Sequence, residues 1–276
     1  MRLAASLTVL AMMALWQSLW PRRRLRFGLR RWPANLGIVA LDAMLARLLI
    51  PGGALGAAAW AEARGFGLFH WLDAPPWVAF GASVVALDGL IYAQHVLFHA
   101  VPALWRLHMV HHADQDIDVT TGLRFHPIEI LLSLGIKMAA VALLGAPVGA
   151  VLVFEMILNG MAMFNHANAR LPAWLDATLR LLVVTPDMHR VHHSVLREET
   201  NSNYGFNLSI WDRLFDTWRA APKAGHEGMT IGLAQYQMRE PGGLAWMLAL
   251  PFTGRPGGYP FLGGGEGATD EKEGGT

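Results

Sequence analysis

The stretch HVLFHAVPALWRLHMVHH, residues 95–112, places five histidines in eighteen positions. In a helix, residues i, i+3 and i+4 lie on one face, so His95 with His99, and His108 with His111 and His112, each aim their imidazoles together. The His-x-x-His-His pattern returns at His189, His192 and His193, with His126 and His166 between the two triplets. Ten of the twelve histidines therefore fall within 99 residues, a concentration that predicts a metal centre. One ion takes about four to six ligands, and structural zinc sites of four usually include Cys, which this chain lacks. Ten imidazoles thus suggest two metals. His70 and His226 lie outside the groups and read as surface positions.

Composition points to a membrane. Hydrophobic residues make up 53% of the 276, charged residues only 16%, and mean hydropathy is +0.31. A net charge of +1 argues against a nucleic-acid partner. Basic charge is almost all arginine, with lysine only at 137, 223 and 272. The absence of Cys removes disulfides, thiolate-bound clusters and thiol catalysis within this chain.

Apolar stretches long enough to cross a bilayer, about twenty residues each, read at 3–20, 36–61, 77–98, 127–146 and 147–165. The first lacks a small-x-small cleavage site and runs into Pro21-Arg22-Arg23-Arg24, which favours an uncleaved anchor. Six arginines between Arg22 and Arg31 assign that loop to the cytoplasm. The third span then ends on the cytoplasmic side at His95 and His99. Residues 127–165 form a two-crossing hairpin that reverses at Gly145-Ala146-Pro147 and returns to the same side at His166. All ten histidines share one side on this topology. Asp42, Arg47, Glu129, Lys137 and Glu155 fall inside spans, where buried charges are either functional or, at least as readily, paired between helices near an interface, and Pro51 interrupts the second.

The expected fold is all-α: an integral membrane bundle of four to five spans under a cytoplasmic, histidine-rich di-metal cap. Residues 1–76 read as anchor spans, 77–236 as the catalytic domain, 237–262 as an interfacial apolar segment and 263–276 as a disordered Gly-rich acidic tail. Thr185-Pro186-Asp187 has helix-start chemistry immediately before the second triplet. Ile210, Trp211, Leu214, Phe215 and Trp218 recur at helical spacing, a stripe for packing or for the membrane surface.

Imidazole-rich, carboxylate-poor ligation suits iron, copper or zinc. Soluble di-iron bundles use carboxylates that stabilise higher oxidation states; neutral ligands bias the other way, toward a stronger oxidant suited to unactivated C–H bonds. Lipid alkyl chains supply such bonds in a membrane. A histidine-rich metal transporter would instead place ligands at mid-bilayer and include acids. A haem carrier would use few histidines and leave the triplets unexplained.

These motifs resemble the fatty acid hydroxylase and sterol desaturase superfamily. The local strings Arg124-Phe125-His126-Pro127, Asn165-His166-Ala167-Asn168, Thr185 through Ser194, and Asn203-Tyr204-Gly205 through Trp211-Asp212 are similar to its sterol desaturase branch. The resemblance covers residues 90 to 220. It implies O2-dependent hydroxylation, or alternatively desaturation, of a lipid at a centre of two iron ions, with zinc possible in isolated protein. By motif match, His95, His99, His108, His111, His112, His166, His189, His192 and His193 would be the metal ligands. Fatty acid 2-hydroxylases of the superfamily carry a further histidine where this chain has Arg170, and His126 is assigned to fill that gap. No Gly-x-Gly-x-x-Gly nucleotide fingerprint is present, so an external electron-donor protein is expected. The arginine-rich composition hints at a bacterial cytoplasmic membrane.

Overall fold

The computed structural model describes residues 2–237 and 242–262, and the tail assigned to 263–276 lies outside them. Among the described residues the regular structure is helical. In chain order the helices are α1 (Arg2–Leu19), α2 (Trp32–Leu49), α3 (Gly53–Arg64), α4 (Leu68–Trp71), α5 (Pro76–Ala100), α6 (Pro102–His112) and α7 (Pro127–Leu144). They continue with α8 (Val148–His166), α9 (Ala173–Leu179), α10 (Pro186–His192), α11 (Arg197–Thr200), α12 (Ile210–Leu214), α13 (Gly225–Gly228) and α14 (Leu244–Thr253).

Four segments are long and apolar enough to cross a membrane: Gly28–Trp71, Pro76–Ala100, Pro127–Leu144 and Val148–His166. With this hydropathy the chain is an integral membrane protein. The apolar part of α1, Ala4–Leu19, is shorter than these. The second expected span is two helices. Pro51 disfavours the α conformation at Ile50, whose φ of −136° and ψ of 69° end α2. Gly53 then turns the chain at φ +52°, a left-handed conformation glycine takes without strain. Both α2 and α3 pack along α7. The α7–α8 reversal falls at the expected Gly145-Ala146-Pro147, where Gly145 caps α7 at φ +66°.

The bundle core joins Ala54 and Ala58 of α3 to Leu87 and Ile91 of α5, Val141 of α7, and Val151 and Phe154 of α8. Small alanines let α3 approach closely. Inside the hairpin, Lys137 pairs with Glu155 at 2.9 Å, so these intramembrane charges neutralise each other between helices as expected. A second core, under the cap, joins Ile38 of α2 and Trp105, Met109 and Val110 of α6 to Met247 and Leu250 of α14. The short C-terminal helix thus has one face in the cap core, while Phe252 is exposed.

The arginine segment is bound to the cap. Arg22 pairs with Asp187 at 3.1 Å, Arg26 Nη1 donates to Gln115 Oε1 at 2.9 Å, and the Arg22 amide donates to the Asn168 carbonyl at 2.9 Å. Arg31 is fully buried between Asp114 and Asp118. Gln17 at the end of α1 accepts from the amides of Val119 and Asn168, at 3.0 and 3.1 Å. Arginine loop and histidine cap therefore share one end of the bundle. Ile210, Leu214 and Phe215 are more than half exposed, as are Trp174, Leu181 and Leu182, although the Phe215 ring stacks on Tyr92. His70 is exposed as expected, but His226 is half-buried, 3.6 Å from Asp187.

Candidate metal centre

Nine buried histidines converge in two groups. His95, His99, His108, His112 and His192 form one, and His111, His166, His189 and His193 the other, with the facing nitrogens of each group within 4.8 Å of one another. The triplets do not each serve one site. In α6, His108 and His112 face the first group while His111 turns to the second; in α10 and its cap, His189 and His193 face the second while His192 turns to the first. Positions i and i+4 lie about 40° apart around a helix and share a group, whereas i+3 projects from the other flank. Each triplet therefore touches both groups, in opposite senses.

Tautomers follow from the hydrogen bonds, because a carbonyl oxygen can only accept. His95 Nδ1–H donates to the Tyr204 carbonyl at 2.8 Å, His166 Nδ1–H to the Ala162 carbonyl at 2.7 Å, and His192 Nδ1–H to the Ser202 carbonyl at 2.8 Å. His99 Nδ1–H donates to Asn201 Oδ1 at 3.1 Å; the amide of Asn201 is fixed because its nitrogen donates to the Tyr259 carbonyl at 2.8 Å. His108 Nδ1–H donates to the Glu129 carboxylate at 2.7 Å. Each of these five rings has its proton on Nδ1 and a bare lone pair on Nε2.

Those lone pairs point at one another. His95 Nε2 lies 3.1 Å from His108 Nε2, and with no proton between them the contact is repulsive. A cation shared by both nitrogens turns it into coordination. His192 Nε2 and both nitrogens of His193 are buried without a partner, and cations at the two groups would satisfy His192 Nε2 and one of the two His193 nitrogens. Burial lowers His108 to about 3, and burial together with neighbouring imidazoles holds His111, His112, His189, His192 and His193 well below the ordinary imidazole value. The rings are neutral near pH 7, the form that ligates a metal. The donor set therefore fits two ions, one per group.

His126 does not join them. Its Nδ1 accepts from the Ile128 amide at 3.2 Å, capping α7, which leaves Nε2–H to donate to the Leu248 carbonyl at 3.3 Å. Both nitrogens are used. His126 thus leaves the Arg170 gap unfilled; Arg170 itself is exposed and pairs with Glu227 at 3.0 Å.

Residues behind the histidines aim them, some within the Asn203–Asp212 string and some, such as Asp88 and Gly122, outside any motif. Asp88, inside α5, accepts from Asn207 Nδ2 at 2.7 Å and Trp211 Nε1 at 2.8 Å. Asp212 accepts from the amides of Tyr204 and Gly205 at 2.7 and 2.8 Å. Together they hold segment 204–212 so that the Tyr204 carbonyl meets His95. Gly122 lies so close to α8 that a Cβ there would sit 2.3 Å from the Ala162 carbonyl, the acceptor of His166.

A cavity of about 300 Å³ adjoins the centre. His95, His108 and His111 form its floor, and α2, α5, α7 and α8, with Phe125 and Phe206 from the connecting segments, supply largely apolar walls that include Ile91, Phe98 and Leu158.

The profile of the fatty acid hydroxylase family matches residues 80–217, half of the chain. The chain belongs to the fatty acid hydroxylase family. It is 34% identical over 170 residues to ornithine lipid hydroxylase OlsE of Rhizobium tropici, covering 62% of this chain and 49% of that protein. It is 32% identical over 157 residues to human alkylglycerol monooxygenase, covering 56% of this chain and 34% of the relative. Over 141 residues it is 28% identical to rat cholesterol 25-hydroxylase, covering 50% and 46%. The chain thus spans half or less of the length of these curated relatives. No solved structure matches it.

Proposed function

We propose that this protein is an O2-dependent lipid hydroxylase working at two iron ions, one held by His95, His99, His108, His112 and His192, the other by His111, His166, His189 and His193. The observation that carries this reading is the set of fixed Nε2 lone pairs converging beside an apolar cavity between spans. Bound iron would supply O2 activation and the one-electron chemistry that C–H insertion requires. The chain's own groups set the conditions. Neutral imidazoles bring no negative charge to the centre, which favours a strongly oxidising state. Glu129 holds the His108 ring through Nδ1 and raises its basicity. Ile91, Phe98, Leu158 and Phe206 take an alkyl segment against the floor and limit water.

Reducing electrons come from a separate donor protein. The cap faces the cytoplasm of a bacterial membrane, a reading supported by the arginine segment packed on that end. Hydroxylation is favoured over desaturation because the three relatives described above are named hydroxylases or monooxygenases, each of a lipid. A metal transporter is disfavoured by ligands gathered in a cap at one end of the bundle.

Reconstitution with iron, an electron donor, membrane lipid and isotopically labelled O2 tests the reading. Labelled hydroxylipid is the expected product. Turnover without O2, or label arriving only from water, overturns it, and an unlabelled alkene formed with O2 consumption selects the desaturase.

A further inference from the structure

The cavity wall holds two buried carboxyl oxygens, on Asp42 and Glu129, that the metal centre does not explain. Asp42, on α2, is 4% exposed, lines the cavity, and makes no hydrogen bond or ion pair with any described residue; its Oδ1 is buried and unpartnered. Glu129, across from it on α7, uses Oε1 for His108, while Oε2 is buried and unpartnered. Elsewhere in the bundle an intramembrane acid is satisfied: Glu155 by Lys137, and Asp88 by Asn207 and Trp211. An acceptor buried in an apolar wall is costly unless something donates to it. A carboxyl oxygen remains an acceptor whether the group is ionised or protonated. The two groups are not bonded to each other, so they do not form a ready-made proton wire.

We propose that Asp42, with Glu129 beside it, is the specificity-determining acceptor for a hydrogen-bond donor on the substrate, a hydroxyl or a protonated amine. This rests on the reading of the cavity as the lipid site and deepens it to a substrate class. Ester carbonyls, ether oxygens and plain alkyl chains offer no donor and leave the acceptor Oδ1 of Asp42 unsatisfied, even where a protonated Asp42 could itself donate to an ester or ether oxygen. A volume of about 300 Å³ is at the small end for a ligand pocket. The donor therefore belongs to the same short segment of the lipid as the carbon facing His95, His108 and His111, and oxidation falls close to the polar group rather than far along a tail.

Equilibrium binding of radiolabelled hexadecan-1-ol, hexadecylamine and methyl hexadecyl ether to the purified chain in nanodiscs tests this, with empty nanodiscs subtracted. At least one of the two donors should bind about tenfold or more tightly than the ether, the scale of one hydrogen bond to a charged or buried acceptor. Asp42→Asn should keep a preference for the alcohol and lose one for the amine. Asp42→Leu should lose both. Equal binding of all three probes by the wild type, a comparison that needs no variant to fold, overturns the inference, as does a donor preference that survives in Asp42→Leu. Binding needs no turnover, so a chain that prefers donors yet does not hydroxylate sinks the proposed reaction and leaves this inference standing.

Discussion

At the residue scale, the centre depends on groups that touch the ligands from behind. Four of the five fixed imidazoles donate to neutral oxygens, and only His108 leans on a carboxylate. Asn201→Leu should free the His99 tautomer and weaken metal binding by about 10–100-fold, the usual cost of losing such a partner, while Asn201→Asp keeps the acceptor and most of the affinity. Metal titration of the two variants reads the difference. Gly122→Ala should act through the Ala162 carbonyl, which must move and take His166 with it. The expected outcome is a folded chain with reduced occupancy, checked by elemental analysis beside circular dichroism. The grouping of eight of the nine histidines was legible in the sequence because spacing on a helix is itself geometry, whereas the single His166 joined the proposed ligands by motif match. Their acceptors were not, since backbone carbonyls at 162, 202 and 204 carry no residue signature. His126 was assigned as a ligand from its histidine-proline context, although a residue directly before proline at a helix start also has the form of an N-cap.

At the scale of elements, short helices set which histidine joins which group. Seven-residue α10 is too short to be stable alone, so its register depends on its cap and packing. Thr185 Oγ1 accepts from the Met188 amide at 3.4 Å, and Thr185→Ala should cost about 1 kcal/mol. Fraying there loosens His189 first, so the second group should lose metal before the first, which partial-occupancy measurements on the variant would detect. The hairpin and its reversal were legible from length and from the Gly-Ala-Pro turn. The break in the second span was only half legible: Pro51 marked the interruption, but that α3 continues along α7 depends on Ala54 and Ala58 finding neighbours distant in sequence. The stripe at Ile210–Trp218 was read from periodicity alone, which cannot tell a buried face from one facing lipid. Its exposed Leu214 and Phe215 border Trp211, which is tied back to Asp88.

For the whole molecule, the cap gathers neutral imidazoles that an unfolded chain would protonate near pH 6.5. His108, held to about 3 in the fold, binds fewer protons folded than unfolded between these values. Stability of the metal-free protein should therefore fall as pH drops from about 6.5 toward 3, and the thermal midpoint followed over that window checks it. The shared end of the arginine loop and the cap gives a second test. Since the chain has no native Cys, Lys223→Cys, at an exposed cap position, should resist a membrane-impermeant thiol reagent in intact cells and react after lysis, while Asp73→Cys should react in intact cells. The central claim is that one chain holds two metal ions, in sites of five and four histidines that share both triplets. Elemental analysis of metal per chain, on wild type and on His193→Ala, tests it most directly. The account predicts two ions for the wild type and close to one for the variant, whose first group is intact. One ion or none in the wild type, or two retained in His193→Ala, would contradict it.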